Sequence, residues 1–254
     1  MISSQDALEF RFAIDRGGTF TDIYWEIFNT ENGQKTVIVE KLLSVDPNNY
    51  NDAPTEGIRR ILEEHLSKEF PKDERIDTSQ ISSIRMGTTV ATNALLERKG
   101  ERSALLITKG FKDLLHIGNQ TRADIFDLVL SKPHKLYEEV VEVDERVLPS
   151  KNIDESNPKI KLGKNGKYFE VVQPLDIEET TKQLKDLYDK EFNSIAIVFL
   201  HSYAIPDHEE ETAKIAEQIG FDQISISSDV MARQKIVKRG DTCCVDAYLN
   251  PHIK

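Results

Sequence analysis

The side chains best suited to hold phosphate lie near the amino terminus, in residues 15–22, which read Asp-Arg-Gly-Gly-Thr-Phe-Thr-Asp. They follow a largely apolar run, residues 10–14, that predicts a buried strand. The adjacent Gly17 and Gly18 let the backbone turn and present N–H groups with no Cβ in the way. Around them stand hydroxyls and carboxylates, the latter able to hold a hydrated magnesium ion: Thr19, Thr21, Asp15 and Asp22. The pattern is typical of a loop that binds the phosphates of a nucleotide.

An ordinary β-hairpin is the alternative for the same residues, because glycine accepts the positive φ that tight hairpin turns need. The local motif fits both interpretations equally. Spacing excludes two other nucleotide loops, since the sequence contains no G-x-x-x-x-G-K-[ST] and no G-x-G-x-x-G after a strand. If a nucleotide binds, neither of those loops holds it.

A second group of polar residues follows a predicted strand over residues 81–87, where Gly87, Thr88 and Thr89 begin a predicted helix over residues 88–99. Helix N-termini carry free N–H groups and a positive dipole end, so they attract anions. The alternative is simple capping by one of the threonines, with no ligand. Capping is the better explanation of this motif alone. The proximity of two strand tips favours a shared site.

The composition limits the class of protein. With 254 residues, 39% hydrophobic and 30% charged, the chain can form one large domain or two modest ones with a core. Its net charge of −11 argues against general binding of nucleic acid or anionic membranes. No apolar stretch approaches the length of a membrane span, and the N-terminus has no secretory pattern. The only two cysteines are adjacent, which favours a reduced, cytoplasmic setting.

Alternating and helical periodicities predict the element order β-β-β-α-β-α-β-α over residues 10–117, which we expect to form one mixed sheet covered by helices. Residues 137–147 predict an edge strand, and about 149–167 a polar insertion. An α/β rhythm then resumes: a strand (168–172), a helix (177–192), a strand (194–200), a helix (207–219) and a strand (223–227). The final residues, 241–254, end without a cap, so we expect the chain to be part of a larger protein.

Several stretches, in order along almost the whole chain, resemble the N-terminal part of the ATP-dependent 5-oxoprolinase and hydantoinase A family. They are RFAIDRGGTFTD, MGTTVATNALLERKG, LLITKGFKDLLHIGNQTR, VFLHSYAIPDHE and GDTCCVDAYLNPHI. The last is most similar to the large single-chain eukaryotic 5-oxoprolinases. The resemblance implies a hydantoinase A/oxoprolinase N-terminal domain over residues 1–230 and the start of the following domain over residues 231–254.

The same resemblance implies an actin-like α/β fold, shared with acetate and sugar kinases and heat-shock chaperones, in which Asp15, Gly17, Gly18 and Thr19 match the first phosphate loop. It implies ATP and Mg²⁺ as cofactors and a small lactam, 5-oxo-L-proline, as the substrate that is opened to L-glutamate. The family's second Gly-Gly-Thr loop is missing here, so we expect the isolated chain to be inactive. The expected partners are the remaining domains of the same larger protein and further copies of it, without nucleic acid or membrane.

The roles of the individual residues are hypotheses. Asp15 organises magnesium, directly or through water, and is the catalytic candidate, while Gly17, Gly18, Thr19 and Thr21 hold phosphate. Asp22 contacts magnesium or orients the loop, and Arg16 neutralises phosphate or points to solvent. The candidates for the lactam or the transferred phosphate are Gly87, Thr88, Thr89 and Asn93. Arg122, in a loop over residues 118–122, is a candidate for the substrate carboxylate, with a plain surface loop as the alternative.

Overall fold

The computed structural model describes residues 7–72, 74–119, 126, 134–154 and 156–253. Contacts between residues divide the chain into two compact units, Met1–Arg98 and Lys99–Lys254. This division concerns packing. The boundary expected near residue 230 separates two sequence families and not two packed units, and it stays a prediction.

The first unit consists of one sheet and two helices. Its strands are β1 (Leu8–Arg16), β2 (Phe20–Asn29), β3 (Lys35–Leu43) and β4 (Ile81–Thr88), and its helices are α1 (Ala53–Leu66) and α2 (Val90–Leu96). The strand order is β3-β2-β1-β4. The first three strands form an antiparallel meander, and β4 pairs parallel to β1, so that the carboxyl ends of β1 and β4 meet at one edge.

One face of this sheet is packed against α1. Alternating side chains of β1 and β2 form the core with apolar residues of the helix: Phe10, Phe12, Ile14, Ile23, Trp25, Ile27, Ile58, Ile61 and Leu62. The helix begins at Asp52, whose carboxylate accepts from Thr55 N at 2.9 Å. It ends at Ser67, which adopts a left-handed φ of 50°. Leu66 is therefore its last residue.

The opposite face, which we call the open face, carries the alternate residues of the same strands. The register assigns to it Ala13 and Asp15 on β1; Phe20, Asp22 and Tyr24 on β2; Val37, Val39 and Lys41 on β3; and Arg85 and Gly87 on β4. Its large apolar side chains are exposed, Val39 to 63%. Acids therefore lie on a surface that also offers apolar contact.

The second unit contains two sheets. The strands β5 (Ser103–Thr108), β6 (Glu139–Val143), β10 (Ser194–Val198) and β11 (Gln223–Ile226) form a parallel sheet in the order β11-β10-β5-β6. The strands β7 (Arg146–Pro149), β8 (Ile160–Leu162) and β9 (Tyr168–Gln173) form an antiparallel sheet in the order β7-β9-β8. The predicted polar insertion therefore contains a short strand, β8.

Helices cover both faces of the parallel sheet. They are α3 (Leu114–Ile117), α4 (Ile177–Asp189), α5 (Asp207–Ile219), α6 (Ser227–Val230) and α7 (Ile236–Leu249), followed by a 3₁₀ turn (Asn250–His252). Apolar side chains of α4 and α5 share one core cluster with the sheet, and those of α7 share another. Within the described residues, no helix combines the length and the apolar character needed to cross a bilayer.

Two expectations about the elements were wrong. β5 belongs to the parallel sheet of the second unit, so the first eight elements do not share one mixed sheet. The predicted strand over residues 137–147 is divided into β6 and β7, because its first part pairs with β5 and its second part pairs with β9. The mixed α/β architecture, with sheets flanked by helices, is as predicted.

Candidate functional site

The loop between β1 and β2 consists of Gly17, Gly18 and Thr19. Asp15 and Arg16 pair with Asp22 and Thr21 on the other strand, so the connection is a hairpin. Neither glycine adopts a left-handed φ. Gly17 is required by close approach instead, since a Cβ there would lie 2.9 Å from the Phe20 carbonyl oxygen. The hairpin alternative therefore describes the backbone. Whether the loop can bind a ligand depends on its hydrogen-bonding groups.

Most carbonyl groups of the loop are held by neighbouring residues. Arg16 O accepts from Thr88 Oγ1 at 2.9 Å, and Gly17 O accepts from Ser44 Oγ at 2.7 Å. Ser44 N donates to Thr19 O at 2.9 Å. In contrast, the N–H groups of Gly18 and Thr19 donate to no atom in the part of the chain that the structure describes. The loop therefore has acceptors facing the protein and donors available for an anion.

Asp15 and Asp22 lie side by side on the open face, next to this loop. They line a depression of about 400 Å³ together with Ala13, Ile14, Tyr24, Val39, Arg85, Met86 and Gly87. Asp22 is 3.2 Å from Lys41 Nζ. Gly87, opposite Asp15 on β4, leaves the space beside it open, since a Cβ there would meet nothing within 4 Å. The two carboxylates, the ammonium group of Lys41 and the apolar residues of the depression can hold a metal-bound phosphate and a flat organic group.

Arg16 and Thr21 lie on the other face of the sheet, towards α1. Arg16 Nη1 is 3.7 Å from the Asp52 carboxylate, and the Arg16 side chain is 33% exposed. Thr21 is 0% exposed, and its hydroxyl is 3.0 Å from Ser44 Oγ. Direct contact of Thr21 with phosphate is therefore corrected to a supporting position behind the loop, because the parity of β2 turns this side chain inward.

The second motif meets the first, as predicted. Thr88 Oγ1, besides donating to Arg16 O, accepts from Val90 N, the first N–H of α2, at 3.2 Å. The N-cap residue itself is Thr89, whose side chain makes no capping bond within the described residues. Asn93 Nδ2 lies 3.4 Å from Thr89 Oγ1, and a Cβ on Gly18 would be 3.2 Å from the same nitrogen. Thr88 therefore bonds both the start of α2 and the end of β1, and Asn93 lies beside the loop Gly17–Thr19. Arg122 lies outside the described residues.

The predicted helix after this motif, residues 88–99, is shorter in the structure. α2 covers only Val90–Leu96, and Arg98 adopts a left-handed φ of 57°. Position 100 requires glycine because of packing and not because a helix ends there: a Cβ would lie 2.1 Å from the Tyr248 ring. Its place is fixed by packing in the second unit.

Histidines and cysteines of the second unit occupy structural positions. His208 Nδ1 is 2.8 Å from the buried Glu145 carboxylate, and burial lowers the pKa of His201. Burial raises the pKa of the thiols of Cys243 and Cys244, which makes both poor nucleophiles. Among the described residues, no group of three or more His, Cys, Asp or Glu side chains is arranged to hold a metal ion.

Sequence reasoning missed Ser44, Lys41 and Asp52. Each acts through the pairing of β2 with β3 or through the start of α1. For Lys41 a signal existed: it lies at an alternate position of β3, so the strand pattern could place it on the open face. For Ser44 no such signal existed, because a serine just after a strand is an ordinary turn residue.

Known proteins are similar to this chain over most of its length. Residues 11–220 match the family described as the hydantoinase/oxoprolinase N-terminal region. The chain belongs to the hydantoinase/oxoprolinase family. It is 55% identical over 245 residues to 5-oxoprolinase 1 of Arabidopsis thaliana, a match that covers 96% of this chain and 19% of that protein. The chain thus spans about a fifth of the length of that relative.

Two solved structures share the fold of this hydantoinase/oxoprolinase chain. An ATP-dependent caprolactamase from Pseudomonas jessenii has a TM-score of 0.66 at 24% identity, with 96% of this chain and 32% of that chain covered. A nucleotide-free acetone carboxylase has a TM-score of 0.63 at 21% identity, with the same shares covered. The mixed α/β fold, with sheets flanked by helices, is consistent with an actin-like lobe.

Proposed function

We propose that the loop Gly17–Thr19 and the acids on the open face bind the phosphates of ATP, and that the full-length protein uses this ATP to open 5-oxo-L-proline to L-glutamate. Membership in the hydantoinase/oxoprolinase family supports ATP-dependent lactam hydrolysis in general. The choice of 5-oxoproline follows the name of the similar Arabidopsis protein.

The N–H groups of Gly18 and Thr19, beside Asp15, have no partner among the residues that the structure describes, and this observation supports phosphate binding. Backbone donors fixed in a concave turn attract anions. Donors that are held in place also stabilise the charge on a transferred phosphoryl group without reorganising.

Asp15 and Asp22 fit a magnesium ion that accompanies the nucleotide. Mg²⁺ commonly keeps several waters and takes one or two carboxylates plus phosphate oxygens, so a site with two acids and no third ligand suits it. When bound, it would neutralise phosphate charge. Asp15 would hold the ion or its water, and Lys41 would keep Asp22 oriented across the strand pair.

ATP is needed because an amide carbonyl is a poor electrophile. Transfer of the γ-phosphoryl group to the lactam oxygen makes the ring carbon attackable by water. The adduct then breaks the ring C–N bond, with the nitrogen taking up a proton, and a second water releases phosphate from the resulting acyl phosphate to leave the carboxylate. The residues of this unit contribute positioning and charge stabilisation, which dominate phosphoryl transfer. Asn93 and Thr89 lie beside the loop Gly17–Thr19, where they would orient the lactam oxygen that accepts the phosphoryl group.

The test is phosphate release by the full-length protein with ATP and Mg²⁺, with and without added small molecules. Stimulation by 5-oxoproline but not by hydantoin, with formation of glutamate, is the expected result. Stimulation by hydantoin alone would indicate a hydantoinase, and stimulation only by a ketone with bicarbonate would indicate a carboxylase. Binding of ATP without stimulation by any of these would leave a nucleotide-binding lobe of another function.

A further inference from the structure

Ser44, the residue after β3, contacts the loop Gly17–Thr19 at two points and Thr21 of β2 at a third. It is 4% exposed. Its Oγ donates to Gly17 O at 2.7 Å, and its N donates to Thr19 O at 2.9 Å. Its Oγ also lies 3.0 Å from Thr21 Oγ1. Because the single hydroxyl proton of Ser44 is directed to Gly17 O, the Thr21 hydroxyl must be the donor of the third bond.

The bond to Gly17 O determines the direction of one particular N–H group. In a planar trans peptide the C=O of one residue and the N–H of the next point in opposite directions. Holding Gly17 O towards Ser44 therefore directs Gly18 N–H away from Ser44. This N–H is one of the two loop donors that have no partner among the described residues.

The peptide between Gly17 and Gly18 needs such a bond more than an ordinary peptide does. Glycine on both sides removes the Cβ contacts that normally restrict φ and ψ, so this peptide can rotate at little steric cost. Arg16 O, one peptide earlier, has its own donor in Thr88. Ser44 is the side chain that holds the peptide between the two glycines.

We infer that Ser44 is a positioning residue for phosphate binding, which aims Gly18 N–H through the hydrogen bond to Gly17 O, with Thr21 fixing the rotamer of Ser44. The inference rests on the proposed binding of ATP at this loop. It assigns a role to a residue that need not touch the nucleotide, and it gives the buried Thr21 a function behind the loop.

The test compares Ser44→Ala with Ser194→Ala in the full-length protein. Ser194 is a matched control, since it is also fully buried and its Oγ also donates to a backbone oxygen, that of Ala247, at 2.7 Å. Both variants should lose similar thermal stability. Only Ser44→Ala should weaken binding of ATP·Mg, about tenfold, the loss expected for one misdirected donor to a charged group. Ser44→Thr, which keeps the hydroxyl, should restore most of it.

Hydrogen exchange of the peptide over residues 15–21, without nucleotide, gives a second measurement. It should be faster in Ser44→Ala than in Ser194→Ala or the wild type. Equal ATP affinity and equal loop exchange in the two alanine variants would overturn the role of Ser44. Failure of the wild type to bind ATP would overturn the proposed function instead, and loop exchange would still show whether Ser44 holds the peptide.

Discussion

Asp15 and Asp22 stand directly opposite each other on antiparallel neighbouring strands, with both side chains on the open face. Lys41 compensates Asp22 at 3.2 Å. Asp15 makes no hydrogen bond or ion pair with any residue that the structure describes. Like charges directly opposite in a sheet destabilise it by about 0.2–1 kcal/mol. A carboxylate at such a position contributes little to folding, which favours a role in binding.

Asp15→Asn is therefore expected to separate function from stability. The substitution keeps the shape and removes the charge that would hold magnesium or its water. ATP turnover with 5-oxoproline should fall about 100-fold, the usual effect of removing one electrostatic contact to a transition state. The melting temperature should stay equal or rise slightly because the repulsion from Asp22 is lost. Steady-state phosphate release and thermal melts of the full-length protein measure both.

Glu31→Gln is the matched control for this change. Glu31 is an exposed acid in the turn between β2 and β3, at the other end of these strands. Turnover by this variant should equal that of the wild type. Near-normal turnover by Asp15→Asn, or an equal loss in both variants, would contradict the assignment of Asp15.

Thr88→Val tests whether the hydroxyl serves the site or only caps α2. The change removes the donor to Arg16 O and the acceptor for Val90 N. Because Thr88 is exposed, the free energy of unfolding should fall by only about 1 kcal/mol. Turnover should fall more than tenfold, since Arg16 O at the tip of β1 loses its 2.9 Å bond from Thr88 and keeps the longer bond from Thr89 N at 3.3 Å. Thermal melts and phosphate release are compared in one preparation.

Thr181→Val provides the comparison for Thr88→Val. Thr181 is partly exposed, and its Oγ1 donates to Ile177 O at 2.7 Å in the second unit. It should lose a similar amount of stability without losing turnover. If Thr88→Val lowers stability while turnover stays proportional to the folded fraction, capping alone explains Thr88.

The meeting of the two motifs could be predicted from the sequence, because the ends of parallel strands lie at one edge of a sheet. The bounds of α5 were predicted correctly, since helical periodicity continues to both of its ends. The pairing partner of β5 was not predicted. Parallel pairing joins segments far apart in the chain, and periodicity carries no information about the partner.

The role of Ser44 could not be predicted, because it depends on the register of β2 and β3. A tight two-residue turn at Asn32-Gly33 would place Glu31 opposite Gln34. The structure instead pairs Phe28 with Lys35, so the connection is wider. This shift of the β2–β3 register by two residues keeps every side chain of β3 on the same face of the sheet. It also places Ser44 opposite Thr19 of the loop Gly17–Thr19.

Tyr137 should make the stability of the second unit sensitive to alkaline pH. Burial raises the pKa of its phenol from 10.0 to about 12. The folded state therefore retains the proton more strongly, so the contribution to stability is complete below pH 10 and is lost as the pH rises towards 12. Relative to Tyr137→Phe, which cannot titrate, the wild type should lose stability over that window. Urea unfolding of both proteins between pH 8 and 11.5 measures the difference, and parallel curves would contradict it.

Gly57→Ala should reverse the usual effect of replacing glycine in a helix. In an exposed helix the change stabilises by up to about 1 kcal/mol. Here Gly57 faces the sheet, and a Cβ would lie 1.9 Å from Cδ1 of Ile23. We therefore expect a loss of about 1–3 kcal/mol in the free energy of unfolding, as for other overpacked cores. Urea unfolding at neutral pH gives the value.

Ile23→Val supplies the diagnostic second change, because valine lacks Cδ1 and opens the space that the new methyl group needs. Alone, it should destabilise by about 0.5–1.5 kcal/mol. Combined with Gly57→Ala, the total loss should be smaller than the sum of the two single losses, since each change relieves the other. Additive losses would show that the methyl group at position 57 is accommodated in another way, and that contact with Ile23 is not what requires glycine in α1.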